Sequence, residues 1–247
     1  MSGETDLSEN DPTATDATNG EADPATTARY PADADPDAAA RGGVYALAAR
    51  AFTEPDPELY EAFASGALDE ECRALVERTG LDVEPPDLTT DDDRERLCAR
   101  YNDLFVVGHT VVEDRTDGTI DAEGPDVSLY ESAYRPDASW TDVNLDLARA
   151  YEYFGVEVDE QQRENHDHLR LELEFAGYLC RREAAVDPDA ARARLDFLDR
   201  HLAVCVEGVA NALADEPGTD VFGELAAFVE RFVAADTVDL DERLGGA

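Results

Sequence analysis

From Val44 to Phe232 apolar residues return every three or four positions, and a chain that keeps this spacing over so many segments is built to pack helix on helix. Val44, Leu47, Ala48, Ala51 and Phe52 follow the pattern after Pro36. Asp56-Pro57 opens a short helix carrying Tyr60 and Phe63, with Gly66 placed to end it. Leu68, Cys72, Leu75 and Val76 make the next stripe, stopped by Gly80; Thr89 or Thr90 stands where a cap would precede a helix through Leu97, Tyr101, Leu104 and Phe105, closed by Gly108. Val143, Leu147, Ala150, Tyr151 and Phe154 then lead to Gly155. Leu169, Leu173, Ala176 and Cys180 mark one face of a later helix and Leu171, Phe175 and Tyr178 a second, which predicts a helix buried on two sides at the centre of a bundle. Asp187-Pro188 starts the longest stripe, through Leu195, Leu198, Leu202, Cys205, Val209 and Leu213, and Val221 to Phe232 closes the domain. The expected fold is all-α, a single-domain helical bundle of about eight helices over residues 37–236.

Three stretches fall outside that pattern. Residues 1–36 hold hardly a large apolar side chain and are expected to form a disordered acidic tail, because they cannot offset the entropy of ordering; residues 237–247 read as a similar, shorter tail. Residues 107–129 contain Gly108, Gly118, Gly124 and Pro125, and Val111-Val112 and Thr119-Ile120 flank an Asp117-Gly118 turn signal, so this long loop or insert is at most a small hairpin.

Charge excludes some functions. The 59 acidic residues face 20 basic ones, all arginine with no lysine, for a formal charge of -39. Molar salt shrinks the Debye length to about 3 Å and screens such a shell, so the bias is that expected of a salt-adapted protein. Nucleic acid is not a partner, since it needs a basic stripe and none exists. Cys72, Cys98, Cys180 and Cys205 are far apart, lie in apolar helical patterns and read as small core residues. No metal site is expected: His166 and His168 with Glu164 have poor ligand spacing and no third strong ligand. With neither a membrane-length apolar run nor an export signal, the protein is expected to stay in the cytoplasm without membrane insertion.

Three segments differ from plain bundle filler: Tyr101-Asn102-Asp103-Leu104-Phe105-Val106-Val107-Gly108; Leu129-Tyr130-Glu131-Ser132-Ala133-Tyr134; and Glu164-Asn165-His166-Asp167-His168-Leu169 running on to Glu172-Leu173-Glu174-Phe175. In this order and spacing they resemble the TorD/DmsD/NarJ family, over roughly residues 38 to 235. The insert around 110 to 123 and the single Pro125 before the second segment depart from the family pattern. The resemblance implies a cytoplasmic chaperone, not an enzyme and without a cofactor of its own, that binds the twin-arginine leader, and often the body, of a molybdopterin-containing reductase of the dimethyl sulfoxide, trimethylamine N-oxide or nitrate reductase type. It also implies a client-binding role for Glu164, Asp167 and His168.

A twin-arginine leader offers two guanidinium groups and an apolar run, so its receptor needs carboxylates beside an apolar groove. Glu131, Glu164 and Asp167 can supply the first, and Tyr101, Leu104, Phe105, Tyr130 and Tyr134 can line the second. Other readings stand beside this one. Asp167 can be a helix N-cap and His168 a histidine bonded at that helix start, and Tyr101, Leu104 and Phe105 have core spacing. A nucleotide or other hydrolase using Asp167 and His168 is the enzymatic alternative, although no phosphate loop, nucleophile elbow or relay accompanies the pair. A purely structural helical dimer is the third. Monomer and homodimer both fit the sequence.

Overall fold

The computed structural model describes residues 34–111, 121–158, 165–185, 187 and 189–245. Helices α1 (Pro36–Ala51), α2 (Pro57–Ser65), α3 (Ala67–Val76) and α4 (Arg94–Phe105) come first. Strands β1 (Gly108–Val111) and β2 (Asp121–Pro125) pair antiparallel, and a 3-10 turn (Glu131–Tyr134) precedes α5 (Trp140–Tyr153) and α6 (Leu169–Ala185). Then α7 (Ala190–Phe197) passes through a π turn (Leu198–Leu202) into α8 (Ala203–Asp215), and α9 (Val221–Gly245) ends the described chain. With α7, the π turn and α8 counted as one helix, the described residues form eight, and the fold is all-α with one small hairpin.

The caps follow local chemistry. Asp35 accepts from the N–H groups of Asp37 and Ala38 with Pro36 in the first turn, and Asp56 accepts from Leu59 N–H ahead of α2, which ends on Gly66 at φ 78°. The α4 cap is Asp93, which accepts from Arg96 N–H, rather than Thr89 or Thr90. Thr90 is committed elsewhere, donating to Asp220 at 2.6 Å. At its other end α4 stops at Phe105, and Gly108 begins β1 instead of closing the helix.

As its two-sided apolar pattern predicts, α6 lies at the centre. Leu169, Leu173, Ala176 and Cys180 are buried on one side and Leu171 and Phe175 on the other, and α1 packs along it. The two helices meet through glycines: a Cβ on Gly177 would stand 3.2 Å from the Gly42 carbonyl oxygen, and one on Gly42 would stand 3.2 Å from that of Gly177. A side chain at either position would crowd the facing carbonyl and push the backbones apart by a few tenths of an ångström, so glycine suits both.

Of the tail expected at 237–247, residues 237–245 are instead the end of α9, with Leu240 fully buried, and the last two lie outside the described residues. An ion network holds it there. Arg41 of α1 donates to Asp236 and Asp239 at 2.7 Å each, Tyr45 donates to Asp236 at 2.7 Å, and Arg194 of α7 pairs with Asp236 and, at 2.7 Å, with Glu183 of α6. Polar residues dominate this stretch, so composition alone hid a helix whose charges are satisfied by three other helices. The acidic N-terminal segment expected over 1–36 lies outside the described residues up to 33, while Asp35 and Pro36 already belong to the start of α1.

Gly177→Val is therefore expected to lose about 1–3 kcal/mol of stability, the usual cost of overpacking a tight contact. A lowered urea midpoint with an unchanged slope would register it, and a midpoint equal to that of wild type would show that the crossing is looser than the backbone distances say.

Candidate functional site

Two backbone hydrogen bonds and one ring contact stitch the second and third motif segments together. Glu131 N–H donates to the Asp167 carbonyl at 2.8 Å and Leu169 N–H to the Leu129 carbonyl at 2.7 Å, making Tyr130 and His168 antiparallel bridge partners. Their rings meet edge to face at 5.0 Å. The first segment joins through one bond, Val127 N–H to the Leu104 carbonyl at 2.9 Å. Segments far apart in sequence thus converge at the start of α6.

Beneath the stitch lies a cluster of buried polar side chains. Glu131, Asp167 and Glu172 are all fully buried. Asp167 accepts from Ser132 N–H at 3.2 Å through one oxygen and from the Asn144 amide at 2.9 Å through the other, so it clamps the 3-10 turn to α5 instead of capping α6. Glu131 pairs with Arg135 and faces His201 Nδ1 at 3.1 Å. The π turn that widens the helix at Leu198–Leu202 carries His201. His168 Nδ1 accepts from Arg170 N–H at 3.1 Å, so the histidine supplies the helix-start contact that Asp167 does not.

Glu172, on the first turn of α6, has both oxygens enclosed and the Glu131 carboxylate as its hydrogen-bonding neighbour. Burial, then the nearby charges of Glu131 and Asp167, hold its carboxyl protonated well above the usual carboxylate range. The same surroundings, burial first and the Glu172 and Glu131 charges next, push the Tyr151 hydroxyl up.

The remaining expected site residues divide by depth. Tyr101, Leu104 and Phe105 are core: Tyr101 and Phe105 pack against Phe222 with centroids 5.8 and 5.5 Å away, and Tyr101 donates to the Phe52 carbonyl. Leu104 also lines an open pocket of about 400 Å³ beside Arg96, Arg100 and Asp126. Tyr134 is half-buried, its hydroxyl donating to the Ser128 carbonyl at 2.7 Å and its ring lying where a Cβ on Gly208 would be, 2.2 Å from the nearest ring atom. Glu131 and Asp167 are internal rather than rim carboxylates, and Glu164 lies outside the described residues. Asp167 and His168 point at different partners and form no acid–base relay with each other. Burial pushes the Cys72 and Cys180 thiols up to about 12, as befits core residues rather than nucleophiles.

The sequence reading missed Arg135, Asn144, Glu172 and His201. Only Glu172 carried a signal, an acidic residue at a core position between Leu171 and Leu173 of a helix apolar on two sides.

Fold and site together define an all-helical protein with a buried polar cluster beneath a stitched surface. Residues 64–210 match the nitrate reductase delta subunit family, and the chain belongs to that family. A stretch of 83 residues, 31% of this chain, is 46% identical to the selenate reductase assembly chaperone protein of Thauera selenatis and spans 43% of it. The perchlorate reductase assembly chaperone protein of Dechloromonas aromatica (strain RCB) is 29% identical over 210 residues, 79% of this chain and 88% of the relative. The chlorate reductase assembly chaperone protein of Ideonella dechloratans is 38% identical over 116 residues, 44% of this chain and 53% of that protein. A crystal structure of a redox enzyme maturation protein from Archaeoglobus fulgidus aligns over 78% of this chain and 93% of that one, with TM-score 0.43 and 17% identity.

Because Glu172 holds its proton above the ordinary value of 4.5, its contribution to stability is complete below that pH and is lost as pH rises toward the folded-state value. Glu172→Gln keeps the shape and removes the titration. The variant should match wild type near pH 4 and exceed it by roughly 1–3 kcal/mol at neutral pH and above. Melting temperatures of both proteins across pH check this, and parallel curves would contradict a titrating Glu172.

Proposed function

We propose that this protein is a dedicated assembly chaperone that binds the unfinished catalytic subunit of a molybdopterin-containing reductase, together with its twin-arginine leader, in the cytoplasm, and holds it until the cofactor is inserted. The observation that carries this reading is the alignment with the perchlorate reductase assembly chaperone protein, which runs over 79% of the chain. The reductases named for the three relatives act on selenate, perchlorate and chlorate, which favours an oxyanion reductase as client over the other types that the motif resemblance allows.

The geometry supports a binding surface at the stitch. Tyr130, Ser132 and Tyr134 are half-buried and Ala133 is exposed, so an aromatic and polar surface is presented over a rigid buried clamp. A structural helical dimer shares the packed first segment, but it gives no reason for three carboxyl groups buried together beneath the second and third. The acidic shell suits work in concentrated salt, where long-range charge is screened and close Arg–carboxylate pairs and apolar contacts do the discriminating.

Co-expression of the tagged chain with the catalytic subunit of a co-encoded reductase, in cells starved of molybdenum, should yield a complex of the two. Replacing the edge-to-face pair by Tyr130→Ala with His168→Ala should weaken capture at least about tenfold, while removing about 0.5–1.5 kcal/mol of ring-pair stability and about 1 kcal/mol more from the lost helix-start contact. Recovery of the wild-type chain without the subunit under these conditions would contradict the assignment.

A further inference from the structure

Along α6, Arg170, Glu174, Tyr178 and Arg181 recur at helical spacing and so share one face of the helix. That face and the chain that follows α5 at Val156 and Val158 enclose a pocket of about 320 Å³. Its wall is apolar and aromatic. Phe175 and Tyr178 lie there with nearly parallel rings, centroids 6.2 Å apart, and the Tyr178 ring is fixed by its hydroxyl, which donates to the Phe154 carbonyl at 3.1 Å.

In a chain with 59 acidic residues and 20 arginines, a sheltered guanidinium without a carboxylate is the exception. Among the described arginines that are buried or half-buried, every one but Arg181 stands in an ion pair with Asp or Glu. Arg181 is half-buried, lines the pocket, and its guanidinium has neither an ion pair nor a hydrogen bond among the described residues. The crossing of α1 and α6 makes room for it: a Cβ on Gly42 would stand 3.4 Å from Arg181 Cγ, and one on Gly177 3.2 Å from its Nη1. The side chain is therefore packed against the fold instead of extending into water. Carboxylates do line the same pocket, but Glu157 and Glu174 are exposed, and Glu174 is already taken by Arg170 at 2.7 Å.

We propose that this pocket binds a monocarboxylate carried on a small apolar body, with the carboxylate on the Arg181 guanidinium and the body against Phe175 and Tyr178. A guanidinium presents a flat fork of N–H donors that matches a carboxylate through two parallel hydrogen bonds, and a partly enclosed pair of this kind is worth more than one in open water. The site is separate from client capture and does not depend on the chaperone reading.

Charge and size narrow the ligand. With Arg170 neutralised by Glu174, one cation is left uncommitted, and Glu157 and Glu174 would oppose a doubly charged phosphate more than a single carboxylate. A volume at the small end of ligand pockets suits a compact acid or one terminal residue of a chain, not a nucleotide. A free carboxylic acid and the C-terminal residue of a peptide offer this same chemistry.

The test is an NMR titration of the full chain in molar potassium chloride, where chloride competes and long-range attraction is screened, so that only a close, enclosed ion pair scores. The probes are phenylpropionate, its neutral amide, phenylphosphonate, and Gly-Gly-Phe with a free or an amidated C-terminus. Phenylpropionate should shift the backbone amides of residues 156–158 and 170–181 with a Kd on the order of 1–10 mM, and its amide should bind at least about tenfold more weakly. Arg181→Gln should lose at least about tenfold in affinity while its melting temperature stays within about 2 °C of wild type, because no partner is left behind. Arg78→Gln, which removes an exposed arginine that does not line the pocket, should bind as wild type does. Binding of the free-carboxyl tripeptide would support the site with a chain terminus as the source, and binding of phenylpropionate alone would support it with a small molecule. No shift with either carboxylate up to about 20 mM, equal affinity for acid and amide, tighter binding of phenylphosphonate, or retained binding in Arg181→Gln would each overturn it, and none of these bears on capture of the apo-reductase.

Discussion

Where α1 and α6 cross, Gly42 and Gly177 let each backbone come within van der Waals reach of the other, and the rest of the bundle is arranged about that contact. The crossing fixes α6 as the central helix, buried on two faces. It also sets Arg41 and Tyr45 of α1 where they meet Asp236 of α9, and Arg194 of α7 completes that meeting from the other side. Asp236 is fully buried, a position that a carboxylate tolerates only with cations and donors on every side. One close helix contact thus orders the two ends of the described chain against the middle of it.

The same central helix carries the site. Its first turn holds Glu172, its start receives the backbone bond from Leu129, and His168 just ahead of it takes the bridge to Tyr130. Charge placement differs sharply between the two ends of α6. Around Asp236, arginines answer carboxylates directly, whereas around Glu172 three buried carboxyl groups share Arg135, a histidine and two neutral donors. The first arrangement binds the fold together. The second gathers three carboxyl groups in one buried cluster, where burial and the neighbouring charges keep Glu172 protonated.

Much of the fold was legible because helix periodicity is a local signal. The two-faced pattern of Leu169 to Tyr178 correctly marked α6 as central, and Asp56-Pro57 and Gly66 marked the ends of α2. The boundaries that failed were set by distant partners: Thr90 is drawn to Asp220, leaving Asp93 to cap α4, and the polar end of α9 is ordered by Arg41. The site divided the same way. Motif order identified the family, but residue type could not say that Glu131 and Asp167 face inward, because their burial depends on a pairing between residues 129–131 and 167–169 that no local pattern encodes. His201 was invisible for a related reason, since an apolar stripe passes over the extra residue of a π turn without a break.

The central claim is that a client protein is held at the stitched segments at the start of α6. Hydrogen–deuterium exchange of the chain, alone and with the apo catalytic subunit of the co-encoded reductase, tests it most directly. The account predicts slowed exchange over residues 129–135 and 165–172, with α2 and α3, which pack on α1, α4 and each other, unchanged. Protection confined to α2 and α3, with the stitched segments exchanging as in the free protein, would contradict it.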